Sequence, residues 1–295
     1  MKYLVIGAKG LLGEAFTRLL KESQCDVRSL SRDEVDLADG THLARHLRNC
    51  EFDVLLNCAG MTGLEQCLDQ PDLATSVNVK APQIMAEECA SRSAKMVHFS
   101  TDYVFDGELE GWCDESSNTN PINHYGVTKL EGECAVMHAH PGAIVARVSW
   151  IFGPGRKTFV DQVLRQMTAE DWPGTYISDK YSVPNYSDDL VKMCTHLLGE
   201  GFSGLVHLTS TGPQVSWLQY AQEVISAAEE LGLVSAKISA PRSSKMEDIE
   251  AFRARRPRWT AMRSTRLLSS GLEVPDWRVG LRSYLKGLKR VEGNR

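Results

Sequence analysis

Lys2-Tyr3-Leu4-Val5-Ile6-Gly7-Ala8-Lys9-Gly10-Leu11-Leu12-Gly13 decides the fold. Lys2 to Ile6 is a short apolar run that stops at a glycine, which predicts a strand. Beyond the glycines, Leu12, Phe16, Leu19 and Leu20 recur on one helical face. Strand, glycine turn and helix in that order make the opening βα unit of a dinucleotide-binding sheet. Gly7 permits the tight turn, Gly10 lets the backbone approach a pyrophosphate, and Gly13 lets the helix pack on the strand. The unpaired N–H groups and dipole at the helix N-terminus favour an anion there. The competing reading is a turn that uses three glycines for structure alone.

Working outward, strands are expected at Asp26–Leu30, Phe52–Asn57, Lys95–Phe99 and Ala143–Val148. Helices are expected at 41–48, as one long element at 72–92, and at about 125–138. Strands alternating with helices predict an α/β fold with a doubly wound parallel Rossmann-type sheet. After Trp150 the rhythm loosens. Gly153-Pro154-Gly155 breaks it, Phe159–Met167 and Trp217–Leu231 read as helices, and Val206–Leu208 as a returning strand. Phe252–Arg266 reads mainly as loop and Trp277–Leu288 as a closing helix. The expected division is a cofactor-binding Rossmann domain at 1–150 and a smaller C-terminal substrate lobe at 151–295, some of whose segments return to the first.

Composition narrows the function. Of 295 residues, 42% are hydrophobic and 24% charged, with no bias toward disorder or fibrous structure. No apolar run approaches the roughly 20 residues of a membrane span, and the start does not read as a signal peptide. Eight cysteines never fall in a C-x-x-C pair, so neither a zinc ribbon nor a dithiol redox site is expected, and no residue is assigned to a metal. Scattered thiols suggest a reducing, cytoplasmic setting. Net charge is −5, unevenly placed: residues 241–295 carry 14 Lys/Arg against 6 Asp/Glu, and the remainder 19 against 32. An acidic body with a basic tail favours a phosphorylated small molecule over nucleic acid.

The second expected strand ends in Leu30-Ser31-Arg32-Asp33. A hydroxyl and a permanent cation there suit a 2′-phosphate, where an acidic residue would take the ribose hydroxyl of NAD. NADP(H) is therefore expected at Ser31 and Arg32, with NAD(H) as the alternative if Asp33 holds the recognition position. Further along, Ser100-Thr101-Asp102-Tyr103 follows a strand, and Tyr125 and Lys129 stand four apart on a helix. A phenol with a pKa near 10 is a poor acid at neutral pH, and an adjacent ammonium lowers it. Thr101 can then hold a substrate carbonyl while Tyr125 protonates its oxygen as hydride reaches carbon. Taken alone, Tyr-x-x-x-Lys is usually a solvated helix pair. Following a glycine loop and a strand-end hydroxyl, it is a catalytic candidate.

Together GAKGLLG (7–13), NCAGMT (57–62), STDYVFDG (100–107), NHYGVTKLEGE (123–133) and RVSWIFGPG (147–155) resemble the extended short-chain dehydrogenase/reductases. Within them the likeness is to the dTDP-4-dehydrorhamnose reductase family, over most of the chain. The resemblance implies Thr101, Tyr125 and Lys129 as catalytic residues. It also implies cofactor contacts at Gly10, Leu11, Leu12, Arg32, Asp36, Leu37, Ala59, Gly60, Met61 and Thr62. SDKYSVPN (178–185) and RRPRWTAMRSTRL (255–267) are similar to two later family segments. There the chain departs by Ser182-Val183, extra arginines and Trp259, as it does at Met61 in the cofactor loop.

Toward the substrate, Arg253, Arg255, Arg256, Arg258, Arg263 and Arg266 crowd one loop. Guanidinium forks fit the pyrophosphate of a nucleotide sugar, and Arg256 is the chosen residue; a solvated basic loop is the alternative. Trp150 is a candidate wall for the sugar or a core aromatic, Asp102 a candidate orienter of the loop or of sugar hydroxyls, and His98 reads as structural. Two functions follow: NADPH-dependent reduction of a 4-keto-6-deoxy nucleotide sugar, or a non-catalytic NADP-binding subunit resembling the regulatory β subunit of methionine adenosyltransferase. The expected partner is the nucleotide sugar, without nucleic acid or membrane, and a homodimer is left open.

Overall fold

The computed structural model describes residues 1–169, 172–234 and 238–293. Its first half runs β1 (Lys2–Ile6), α1 (Leu11–Glu22), β2 (Asp26–Leu30), α2 (Gly40–Arg48), β3 (Val54–Asn57), α3 (Leu64–Asp69), α4 (Pro71–Thr75), a π-helical turn at Ser76–Lys80, α5 (Ala81–Ser91), β4 (Lys95–Thr101), α6 (His124–Ala139) and β5 (Ile144–Val148). The second half holds β6 (Ile151–Phe152), α7 (Phe159–Met167), β7 (Thr175–Ile177), β8 (Tyr181–Ser182), β9 (Asn185–Tyr186), α8 (Ser187–Gly199), β10 (Gly204–His207), β11 (Val215–Ser216), α9 (Trp217–Glu230), β12 (Arg242–Ser244), α10 (Thr265–Ser269) and α11 (Trp277–Gly293).

Six strands form one parallel sheet in the order β10-β5-β4-β3-β1-β2. Alternate residues of each strand enter different cores. Val5, Leu56 and Phe99 join Phe16, Leu20 and Leu197 on one face, while Leu4, Leu55 and Val145 join Leu43, Leu47 and Met85 on the other. Both faces are covered, as a doubly wound sheet requires. A third core gathers Phe152, Val160, Tyr220, Trp277 and Leu281 from the second half.

Several elements depart from the sequence reading. The helix expected over 72–92 is interrupted by the π-helical turn. Pro82 has no N–H to offer the carbonyl of Asn78, and its ring crowds that carbonyl, so the ladder widens by one residue. The returning strand lies at Gly204–His207 rather than 206–208. The helices α3, α8 and α10 and the two-stranded pairs β6–β9, β8–β11 and β7–β12 are not among the expected elements; the paired strands have two or three residues each, too few to carry a period.

The chain passes between the sheet and the third core more than once, and Asn185 ties the passages together. Its amide donates to Ser149 O (2.7 Å) and Val183 O (2.9 Å), and its oxygen accepts from Ser210 N (2.7 Å).

Candidate active site

The order of the sheet reverses between β1 and β3, and a cleft of about 330 Å³ opens at the carboxyl ends of these strands, where α/β sheets take ligands. Gly7 turns there with φ of 85°. A Cβ on Gly13 would collide with Gly7 O, so the helix start can come this close only without a side chain. Gly10 caps α1 without any side-chain hydrogen bond, leaving the first-turn N–H groups to a ligand. Gly7, Lys9, Gly10, Ser31, Arg32, Asp36, Leu37, Ala59, Gly60, Met61 and Thr62 line the cleft. Leu11, Leu12 and Gly13 form the first turn of α1, and the Leu12 side chain belongs to the core.

At the end of β2 the two candidate residues separate. Arg32 lines the cleft, whereas Asp33 is drawn into an ion pair with Lys9. Ser31 also lines the cleft, but its hydroxyl donates to Glu34 (3.1 Å). The cradle without a Cβ, the free helix terminus and the Arg32 cation together fit a dinucleotide carrying a 2′-phosphate.

Next to the cleft, Thr101 ends β4 and Tyr125 sits in the first turn of α6, which Asn123 caps by accepting from Gly126 N (2.8 Å). The rings of Tyr103 and Tyr125 meet edge to face, centroids 5.7 Å apart. Burial pushes the Tyr125 phenol above its ordinary value, and a hydrogen-bonding contact from Thr101 opposes the shift. Lys129 is buried, and desolvation lowers its ammonium to about 8. Its Nζ donates to Phe99 O (2.6 Å), and a Cβ on Gly60 would stand 3.9 Å from it. The sequence reading had Lys129 lowering the phenol. The structure instead turns the ammonium toward Phe99 and the Gly60 loop, and the counterweight to burial at Tyr125 is Thr101. His98, beside Lys129, is held neutral by burial, which agrees with a structural role.

Three groups of residues escaped the sequence reading. Asn78, in the π-helical turn, accepts from Met61 N (2.9 Å) and donates to Met61 O (3.0 Å) and Thr128 Oγ1 (3.1 Å), joining the cofactor loop to α6. The available signal was Pro82, four residues on. Glu133 and Arg147 form a buried bidentate pair (2.9 and 2.7 Å) between α6 and β5, and Ser100 donates to the same carboxylate. Finally, Asp102 lies in a buried network with Lys180, Ser182 and Thr260. Asp102 therefore orients its own loop, and its oxygens are taken up by the protein.

The basic loop differs from expectation. Arg253 pairs with Asp69 (2.6 Å), Arg258 with Asp179 (3.4 Å) and Arg263 with Asp114 (3.2 Å), and Arg266 donates to Leu205 O (2.7 Å). Arg256 is not a free clamp either. Its side chain is 7% exposed, paired with Glu65 (2.9 Å) and stacked 3.4 Å above the Phe252 ring. The acidic half of the chain supplies most of these partners, which answers the charge asymmetry within the molecule. Trp150, at φ of 40°, stacks on Tyr220 and leans on Trp217, so it serves the third core.

Comparison with known proteins bears on this geometry. The family model described as the RmlD substrate binding domain matches residues 1–290. The chain belongs to this family. Among its relatives, a dTDP-4-dehydrorhamnose reductase from Streptomyces griseus is 31% identical over 287 residues, covering 95% of this chain and 91% of the relative. Two solved structures superpose with a TM-score of 0.89. One is a dTDP-4-dehydrorhamnose reductase from Clostridium acetobutylicum, 28% identical over 98% of this chain and 100% of that one. The other, from Bacillus anthracis, is in complex with NADP, at 27% identity over 97% of this chain and 100% of that one. Family membership thus extends across both the sheet and the third core.

Proposed function

We propose that this protein is an NADPH-dependent oxidoreductase that reduces the 4-keto group of a nucleotide-linked 6-deoxy sugar, with dTDP-4-dehydro-L-rhamnose as substrate and dTDP-L-rhamnose as product. The observation that carries the reading is the assembly of Thr101, Tyr125 and Lys129 beside a dinucleotide cleft, in a chain whose relatives bear that reductase's name.

When bound, NADPH supplies the hydride. The first turn of α1 would hold its pyrophosphate, and Arg32 would take the 2′-phosphate. Thr101 holds the carbonyl oxygen of the substrate once its hydroxyl proton turns away from Asp102, and Tyr125 gives that oxygen its proton. The raised phenol stays protonated through neutral pH, so the donor form is ready. Lys129 reaches toward Gly60, from where its ammonium would contact the ribose of a bound cofactor. We assign residues 1–150 to the cofactor domain and 151–295 mainly to the substrate lobe. Among the described residues no helix is long and apolar enough to cross a membrane; the eight free cysteines support a cytoplasmic place.

Three expected results test this reading. Replacing Arg32 by Ala weakens NADPH about ten- to hundredfold and leaves NADH unchanged, the effect of one charge-assisted hydrogen bond worth about 1.5–3 kcal/mol. Equal weakening of both cofactors, read by fluorescence titration, would assign Arg32 a structural role. For the substrate, NADPH consumption is followed with 4-keto sugars on several nucleoside diphosphates. Turnover of the dTDP sugar supports the reading, and no turnover with any of them sinks it. In the same assay Arg256→Ala lowers kcat/KM by about tenfold or more with NADPH affinity within about twofold, because remote binding energy orients the reacting carbon. For that contact Arg256 must leave Glu65. An unchanged kcat/KM would keep Arg256 in its internal pair.

A further inference from the structure

Lys180 is among the largest side chains with no exposure at all. A buried ammonium is costly unless its donors are met and its charge is balanced. Here Nζ donates to Thr260 Oγ1 (2.7 Å) and lies 3.8 Å from Asp102 Oδ2. It stands 5.0 Å from the Tyr103 ring centroid and 6.0 Å from that of Trp150, within cation–π range. Asp102 in turn accepts from Thr260 Oγ1 (2.5 Å), from Ser182 Oγ (3.3 Å) and, on its other oxygen, from Thr101 Oγ1 (3.2 Å).

We propose that Lys180 is a positioning residue for the ketoreduction, its buried ammonium holding Asp102 and the Tyr103 ring so that Thr101 and Tyr125 keep the placement the reaction needs. The inference rests on the reading given above. Both ends of the network terminate on the reacting groups: Asp102 on the Thr101 hydroxyl, and Tyr103 edge-on against Tyr125. Thr101 has one proton to give. While Asp102 is anchored by Lys180 and Thr260, the Thr101 hydroxyl is held in one place beside the phenol. Without the ammonium the carboxylate keeps its hydroxyl donors alone, and the turn Asp102–Val104 loses the ion pair that ties it to Lys180.

The groups facing Lys180 are Asp102 and Cys113, which raise its pKa, and Arg256, which lowers it, besides the Tyr103 and Trp150 rings. Burial outweighs them and brings the ammonium down to about 8. Lys129 also titrates near about 8. Two required ammonium groups make log kcat fall with a limiting slope near two above that pH, where one makes it fall with a slope near one.

The test uses the full chain. Lys180→Met is expected to lower kcat about ten- to hundredfold, to change KM less than about threefold, and to leave NADPH affinity within about twofold. Its alkaline slope drops from about two to about one. Lys180→Arg, which cannot lose its charge, also shows the shallower slope and recovers part of kcat. A merely structural lysine would shift the thermal midpoint and leave the slope at the wild-type value, and that result overturns the inference. If the wild type turns over no keto sugar, the functional reading fails by itself. The inference is then read from crystal structures of the NADPH complexes. Displacement of Thr101 Oγ1 and the Tyr103 ring in Lys180→Met supports it, and both in their wild-type places overturn it.

Discussion

Tyr125→Phe lowers kcat by about 10²–10⁴-fold, the range for loss of a general acid, and leaves NADPH affinity within about twofold. The ring survives the substitution, and with it the edge-to-face contact with Tyr103 and the first turn of α6. Only the proton donor is lost. Since burial holds the phenol above its ordinary value, Tyr125 is not the group that limits the rate as pH rises. Lys129 and Lys180, each lowered to about 8, lose their charge before the phenol does. Steady-state rates of the two proteins with the dTDP-linked ketone, beside NADPH titrations, decide the matter. Near-wild-type activity in the Tyr125→Phe variant removes Tyr125 from the chemistry.

The largest effect on stability is expected at Glu133. Its side chain is 6% exposed and that of Arg147 4%, and the bidentate pair joins the catalytic helix α6 to β5. Glu133→Ala leaves the guanidinium buried without its counter-charge and Ser100 without its acceptor. Breaking such a pair from one side costs about 3–5 kcal/mol. The midpoint of urea unfolding falls accordingly, at unchanged slope. The double variant Glu133→Ala/Arg147→Met recovers most of the loss, because what destabilises the single variant is the stranded charge. A single variant within about 1 kcal/mol of wild type would show that water or another carboxylate reaches Arg147.

What the sequence made legible was local. The run from Lys2 to Gly13 carries strand, turn and helix in twelve residues, and Tyr125 and Lys129 are four apart, so each could be read without a partner. The bend in the helix over 72–92 was marked by Pro82, but apolar residues continue on both sides and hide a one-residue change of register. The network around Asp102 could not be read. Lys180 and Thr260 reach the site from separate loops, 80 residues apart from each other, and Thr260 lies 158 residues from Asp102. The arginines were plain to see, whereas Asp69, which holds Arg253 from 184 residues away, was not. Composition shows charge; only the fold shows which charges cancel.

The place of β10 bears on how the chain must be made. It pairs with β5 through Gly204–Ile144 to His207–Arg147, yet the whole stretch 149–203 of the second half separates the two strands. A chain ending at Trp150 would present β5 as an open border, with Ile144, Val145 and Ala146 in a row and their peptide groups unpaired on one side. Such borders recruit other strands and seed aggregates. The first half of the chain is thus a poor candidate for excision as a portable module. During synthesis, too, the nascent sheet must keep that border shielded until His207 has left the ribosome.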